Sequence, residues 1–371
     1  MHSLKVSAFI LFFLFGFPML APARAVSPDM VNMVISKAAV AMEKLKSNIQ
    51  AGRDVSKIIP RMKKVEKLAN QKKLAEANRL LDEILHDFKV IDPSGESETP
   101  ALFINPRKVN VTGYNQSVME PFVTGDGKYL FFNNNTGDTP DTDKNIYYAK
   151  RIDDLNFKFM GAITGINSAE VDGVPTMDRN GNFYYISTVN YTKQNSFATV
   201  YSGKFSNGHV RNVKSHPELS LDIPGWVNMD IEISADGKTL YATQTFFDDN
   251  NQPKHSYFIV ARLTGEKFAI DSRSNKIFHN INTGNLEYGA SVSQNELEFY
   301  FTRVSLANGG KFTSYYATRP DRNSAFSLPK PIRAITGYAE APAITSDGRL
   351  LYFHKKDGNR FALYVLERTQ N

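Results

Sequence analysis

The period of hydrophobic and polar positions changes near residue 92. From Ser27 to about Ile91 apolar residues recur three and four apart, as in Val31, Val34, Ile35, Ala38, Met42 and Leu45, and again in Leu74, Ala77, Leu81, Ile84 and Phe88. That spacing predicts amphipathic helices. Ser27-Pro28-Asp29 supplies an N-cap hydroxyl, a first-turn proline and an acid at the positive end of the helix dipole, while Gly52 with Asp54 marks a break and Pro60 sits early in a second helix. Residues 26–92 therefore read as a helical hairpin or three-helix segment that must pack its apolar face on a neighbour, as a dock or brace. Residues 93–106 read as a polar, proline-containing linker. Beyond them, short aromatic and β-branched runs separated by turn residues predict a β domain over 107–371.

At the other end, Lys5 precedes an apolar run from Val6 to Leu20, and Ala23-Arg24-Ala25 provides small residues at −3 and −1. Residues 1–25 read as a signal peptide cleaved near Ala25, because the run is shorter than the roughly 20 apolar residues of a spanning helix. The expected location is periplasmic or secreted, with no transmembrane segment in the mature chain.

The β domain repeats. Glu120-Pro121-Phe122-Val123-Thr124-Gly125-Asp126-Gly127-Lys128-Tyr129-Leu130 recurs around Gly181, Gly237 and Gly348, and in a degenerate copy around Glu296, at intervals of 54, 56, 59 and 52 residues. Each unit fits a four-stranded blade: a short strand, an Asp-Gly hairpin, an aromatic strand two, then strands three and four. Strand three is expected at 145–150, 199–203, 257–262, 314–318 and 362–366, and strand four in Met160–Gly165, His279–Gly284 and Ile332–Gly337. Lys108–Gly113 is a strand-four block with no unit before it, and the last unit stops after strand three. The expected fold is a mainly β, five-bladed propeller of four-stranded blades in which an N-terminal strand closes the ring, preceded by a small α-helical segment.

Composition and charge narrow the function classes. The chain has 371 residues and no Cys, which removes disulfides, thiolate metal sites and a thiol nucleophile. Its formal charge of +6 does not lie in the β domain, because residues 26–92 hold 13 basic against 9 acidic residues and residues 93–371 hold 29 of each. A nucleic-acid surface on the propeller is therefore not expected.

The Pro-x-x-x-x-Asp-Gly-x-x-Leu-Tyr-Phe repeat resembles that of TolB-type propellers, the WD40-like PD40 family of exported bacterial proteins, over about residues 107–371. The resemblance implies an exported binding or scaffold propeller. TolB has six blades and an α/β N-terminal domain, so its envelope role is not carried over.

Sites on propellers lie at the channel mouth. The segments entering strand one place an acid in every unit, Glu120, Asp172, Asp230, Glu287 and Glu340, accompanied by Tyr114, Trp226, Tyr288 and Tyr338. Converging carboxylates and rings suit a sugar, a cationic ligand or a metal ion, and the mouth as a whole could instead recognise a protein partner. Repeated acids also suit a structural job shared by every blade. The main reading is a non-enzymatic binding or scaffold propeller. One alternative is a glycosidase: five-bladed propellers resemble the arabinanase, fructosidase and levansucrase-like glycosidases, and Glu120, Asp172, Asp230 and Glu287 would supply the carboxylates that chemistry needs. The other is a structural subunit of a cell-envelope assembly. Asp141 and Asp143, with Asp138 and Asn145, have a spacing similar to a Ca2+ loop but lack its Gly and terminal Glu, and a solvated hairpin tip is the plainer reading. No other cofactor is expected.

Overall fold

The computed structural model describes residues 53–91, 101–135, 144–192, 196–305 and 310–369, together with some of those between 34 and 49. The signal peptide, most of the linker and Asp138, Asp141 and Asp143 lie outside the described residues. The chain divides into two compact units between Thr99 and Pro100.

In the first unit, α1 (Ile58–Asn70) and α2 (Leu74–Ile91) follow further helical residues between Val34 and Ile49. The i, i+3, i+4 positions meet in one core: Val34, Ala38, Leu45, Ile58, Met62, Val65, Leu74, Ala77, Leu81, Ile84 and Phe88 are all buried. Asp54 does not cap α1. Its carboxylate accepts the Ser56 N–H at 2.9 Å, and the helix begins after Lys57 without a side-chain cap. After the C-cap Gln71 the chain turns at Lys72, at φ +60°, with Lys72 N–H bonded to the Ala69 carbonyl and Lys73 N–H to the Leu68 carbonyl, both at 2.9 Å. That is the Schellman pattern with a lysine where glycine is favoured. Lys63, Lys64, Lys67, Lys72 and Lys73 are exposed, as a solvated face requires.

The second unit is a five-bladed β-propeller. Blade one comprises β3 (Met119–Val123), β4 (Tyr129–Asn133), β5 (Ile146–Arg151) and β6 (Asn156–Ala162). Blade two comprises β7 (Asp172–Met177), β8 (Asn182–Ser187), β9 (Val200–Ser206) and β10 (His209–Ser215). Blade three comprises β11 (Trp226–Ile233), β12 (Thr239–Phe247), β13 (Pro253–Thr264) and β14 (Lys267–Ile270). Blade four comprises β15 (Leu286–Val292), β16 (Glu298–Ser305), β17 (Lys311–Thr318) and β18 (Lys330–Pro331). Blade five joins β19 (Ala339–Ile344), β20 (Leu350–Asp357) and β21 (Arg360–Arg368) to the N-terminal β1 (Phe103–Lys108).

The ring closes five residues earlier in the chain than the repeat pattern predicts. β1 lies antiparallel to β21, with Phe103 opposite Arg368 and Lys108 opposite Tyr364. It begins inside the stretch read as linker. The expected block continues instead as β2 (Asn110–Thr112), which runs parallel to β6 as a fifth strand of blade one. One continuous segment thus staples the last blade to the first. The expected strands over His279–Gly284 and Ile332–Gly337 are also corrected: strand four is β14 in blade three and the two-residue β18 in blade four. The Thr-Gly blocks are the turns that lead to the next strand, with Gly113, Gly165, Gly284 and Gly337 all between φ +81° and +90°. Such angles suit glycine.

The Asp-Gly hairpins share one hydrogen-bond scheme. Thr124 Oγ1 donates to Asp126 Oδ1 at 2.7 Å, and Asp126 Oδ1 also accepts the Lys128 N–H at 3.1 Å; Ser234 with Asp236 and Thr345 with Asp347 repeat this. The degenerate copy keeps it through Ser293 and Asn295, with Glu296 taking the glycine's left-handed position at φ +62°.

Candidate functional site

Every strand one carries a β-bulge, visible as a register break against strand two. Seven residues before the turn glycine or its equivalent stand Glu120, Val174, Asp230, Gly289 and Ala341, and all but Asp230 have φ between +50° and +68°. A left-handed residue is costly for a side chain with a Cβ, above all for β-branched Val174. Side chains of the preceding blade hold these bulges. The Val174 N–H bonds to Asn133 Oδ1 at 3.2 Å, the Ala341 N–H to Thr302 Oγ1 at 3.0 Å and the Glu120 N–H to His354 Nδ1 at 3.1 Å, while the Gly289 N–H bonds to Asp230. Each left-handed bulge is thus latched to its neighbour blade.

Three of the four latch acceptors, Asn133, Thr302 and His354, belong to a second pattern in the sequence. Six residues after the turn glycine, in the middle of aromatic strand two, stand Asn133, Ser187, Thr243, Thr302 and His354, all buried. A buried polar residue at one offset in all five strands is the signal for this inner layer, and in three of them it accepts the N–H of the next blade's bulge.

The five acids do three different things. Asp172 and Glu287 depart from the expectation of a shared ligand site. Both are fully buried and hold the turn four residues upstream, Asp172 Oδ2 accepting Ser168 N–H and Oγ at 2.6 and 2.8 Å, and Glu287 Oε1 accepting Thr283 Oγ1 at 2.5 Å and Arg303 Nε at 2.8 Å. Burial raises the carboxyl pKa of both. Asp230 is the Gly289 latch, and burial together with the nearby Glu120 charge pushes its carboxyl well above the usual range.

Glu120 and Glu340 are different. Lys144 Nζ lies 3.0 Å from the Glu120 carboxylate. Burial works against ionisation of Glu120, but Lys144, His354 and Asn133 outweigh it and hold the carboxyl below its ordinary value. Glu340 accepts the Tyr288 hydroxyl at 2.7 Å and is also hydrogen-bonded by Tyr338. Burial pushes it up to about 7, against the two phenols and with a contribution from the Glu120 charge. Between them, His354 lies opposite Glu340 in the β19–β20 register, and its Nδ1 accepts the Glu120 N–H. Its imidazole is buried and lowered to about 4, so it is neutral. Near neutrality one carboxyl of this group is ionised and the other is at its titration midpoint.

Tyr338 is 45% exposed and stacks on Phe312 with ring centroids 4.1 Å apart. Tyr288 joins the group through Glu340, whereas Tyr114 and Trp226 do not. Tyr114 packs in blade one against Phe132, Tyr147 and Phe159, and Trp226 packs in blade three against Phe246 and Tyr257. Lys144 and His354 are not evident from the sequence, because Lys144 reaches Glu120 across its own blade from just before β5 and His354 reaches it from the preceding blade. Below the group the channel narrows to about 30 Å³ between Glu120, Pro121, Val174, Asp230, Glu232, Gly289 and Ala341. That waist admits a water or two. Among the described residues no cluster of three or more His, Asp or Glu has metal-holding geometry.

Comparison with protein-family models finds no match, and neither does comparison with curated proteins. Solved structures share the fold. The protein is similar to a BT0996–RGII complex at 11% identity and a TM-score of 0.52, over 76% of its own length and 95% of the other's. It is similar to a glycoside hydrolase at 11% identity and a TM-score of 0.51, over 76% and 96%.

Proposed function

We propose that the propeller is carbohydrate-active, taking a glycan at the mouth formed by blades five and one. The observation that supports this reading is the pair of carboxyls with separated protonation, Glu120 ionised beside Lys144 and Glu340 at about 7 under two phenols. Glycoside hydrolysis needs one carboxyl to protonate the leaving oxygen and another to act as nucleophile or to activate water. Glu340 takes the acid role and Glu120 the second. Exposed Tyr338 offers a face on which a sugar ring stacks. The glycoside hydrolase and the RGII complex among the structures of like fold agree with a glycan as substrate class. The protein would act after export, released by cleavage near Ala25.

The test is release of reducing ends from a panel of plant and cell-wall polysaccharides, with Glu340→Gln and Glu120→Gln beside the unaltered protein. Each variant should lose at least about 100-fold in kcat/KM, as removal of a general acid or base does. Products formed at undiminished rate by both variants would reject the assignment. A second reading, glycan binding without cleavage, is favoured by the ion pair that already engages Glu120 and by the narrow waist. It predicts a raised Tm with a glycan and no products.

A further inference from the structure

On the far side of the waist the channel widens again. A cavity of about 570 Å³ opens among the hairpins that join strands one and two in all five blades. Its wall on the side of blades one and two is apolar, made by half-buried Phe122, Tyr129, Met177 and Phe205. Tyr129 and Phe205 meet edge-on with centroids 5.9 Å apart. Its floor is Glu232, the acid that lines both this cavity and the waist. Glu232 is buried, and its carboxyl accepts Thr176 Oγ1 at 2.7 Å.

No step of the proposed glycan chemistry uses this end, where a carboxyl lies at the bottom of a cavity with rings on one side. We propose that the hairpin mouth is a second binding site, specific for a small organic cation whose ammonium group reaches Glu232 and packs against the aromatic wall that Phe122, Tyr129 and Phe205 line. An ammonium over an aromatic face is attracted by the ring quadrupole, and more strongly where water is excluded. A buried carboxyl supplies the countercharge that a buried cation requires. The cations at the rim do not close the site: Lys128 is paired with Asp126 at 3.0 Å, and Arg179 Nε is bonded to the Ala235 carbonyl at 3.0 Å.

Burial raises the Glu232 carboxyl to about 8, against hydrogen bonds from Thr176, the Val292 backbone and Ser291. It is therefore largely protonated at pH 6 and half ionised at pH 8, and a cation that binds the carboxylate must displace that proton. The other titratable or charged groups facing it are Asp230, which lies on the same strand and is also raised, and Asp126, Asp178, Lys128 and Arg179 around the cavity. Asp178 is committed to the Asn180 and Asn182 N–H groups of its own hairpin.

Choline and tetramethylammonium are suitable probes because their charge does not change with pH. Calorimetric titration of the full chain should show millimolar or tighter binding of choline, strengthening more than tenfold from pH 6 to pH 8. Glu232→Gln, which keeps the shape and the Thr176 partner, should remove both the binding and its pH dependence. Phe205→Leu should weaken binding several-fold with the pH dependence intact, which separates a lost wall from a misfolded protein. Glu340→Gln, at the opposite mouth, should bind choline unchanged, so failure of the glycan reading leaves this test standing. Absence of choline binding to the folded chain at 10 mM and pH 8, or equal binding by Glu232→Gln, would overturn the proposal.

Discussion

The junction between blades five and one and the junction between blades four and five are built on the same frame. In each, a left-handed residue of strand one is held by a side chain from strand two of the preceding blade. At the four–five junction the pair is Ala341 and Thr302. At the five–one junction it is Glu120 and His354, with Lys144 beside the carboxylate and Glu340 opposite the imidazole in register. The difference teaches that a latch needs only an acceptor and an N–H. Charges added at one latch are surplus to folding and are the best marker of chemistry. Asp230 shows the converse, an acid that lines the channel and serves as a latch.

The largest effect on this comparison comes from removing closure altogether. Deletion of residues 101–112 takes away β1 and the stapling β2, exposes the edge of β21 and should abolish the cooperative thermal transition seen by calorimetry. Next, Thr302→Val leaves the Ala341 N–H buried without an acceptor, and should cost about 1–3 kcal/mol in chemical denaturation with no effect on glycan turnover. Glu120→Gln should abolish turnover, with a stability cost confined to the lost Lys144 pair, because the backbone latch to His354 survives. If the two variants behave alike, the distinction between latch and site fails.

The pH dependence of stability sharpens the same contrast. Glu340 and Glu232 have folded-state values raised to about 7 and about 8, so between pH 6.5 and 8.5 the folded chain holds protons that the unfolded chain has already lost. Stability then falls as pH rises. His354, lowered to about 4, acts in the opposite sense but only below its unfolded value of about 6.5. Tm should therefore drop across pH 6.5–8.5, and the double variant Glu340→Gln, Glu232→Gln should flatten the slope. The smallest effect lies in the helical unit. Lys72→Gly relieves a left-handed lysine at the Schellman position and should stabilise that unit by about 1 kcal/mol.

The repeat makes the blades legible because the Asp-Gly hairpin is a local device: its side chain, turn hydrogen bonds and positive φ all lie within six residues, and even Asn295-Glu296 preserves them. Strand four is harder to place. Its pairing is set by whichever segment reaches the outer edge of a blade, so the Thr-Gly blocks, which share a turn conformation, look like strands without being paired as such. Closure itself is legible, but not that Phe103–Lys108 provides it. The acids look equivalent because each precedes a hairpin by seven to nine residues. A bulge lies within that interval, and a shift of one or two positions there decides whether a carboxylate turns back to Ser168 or Thr283 or stands beside Lys144. Lys144, which reaches Glu120 across its own blade, and His354, contributed by the preceding blade, leave no trace in local spacing.

Two carboxyls at the five–one junction carry different protonation states near neutrality, and the most direct test follows the side-chain carboxyl shifts of 13C-labelled glutamate by NMR from pH 3 to pH 9. The unaltered protein is compared with Glu340→Gln and Glu120→Gln. One glutamate should titrate at about 7 and vanish from the Glu340→Gln titration, while the resonance lost in Glu120→Gln titrates below the ordinary glutamate value. A Glu340 resonance that titrates in the ordinary range near 4.5, together with Glu120, would contradict the account.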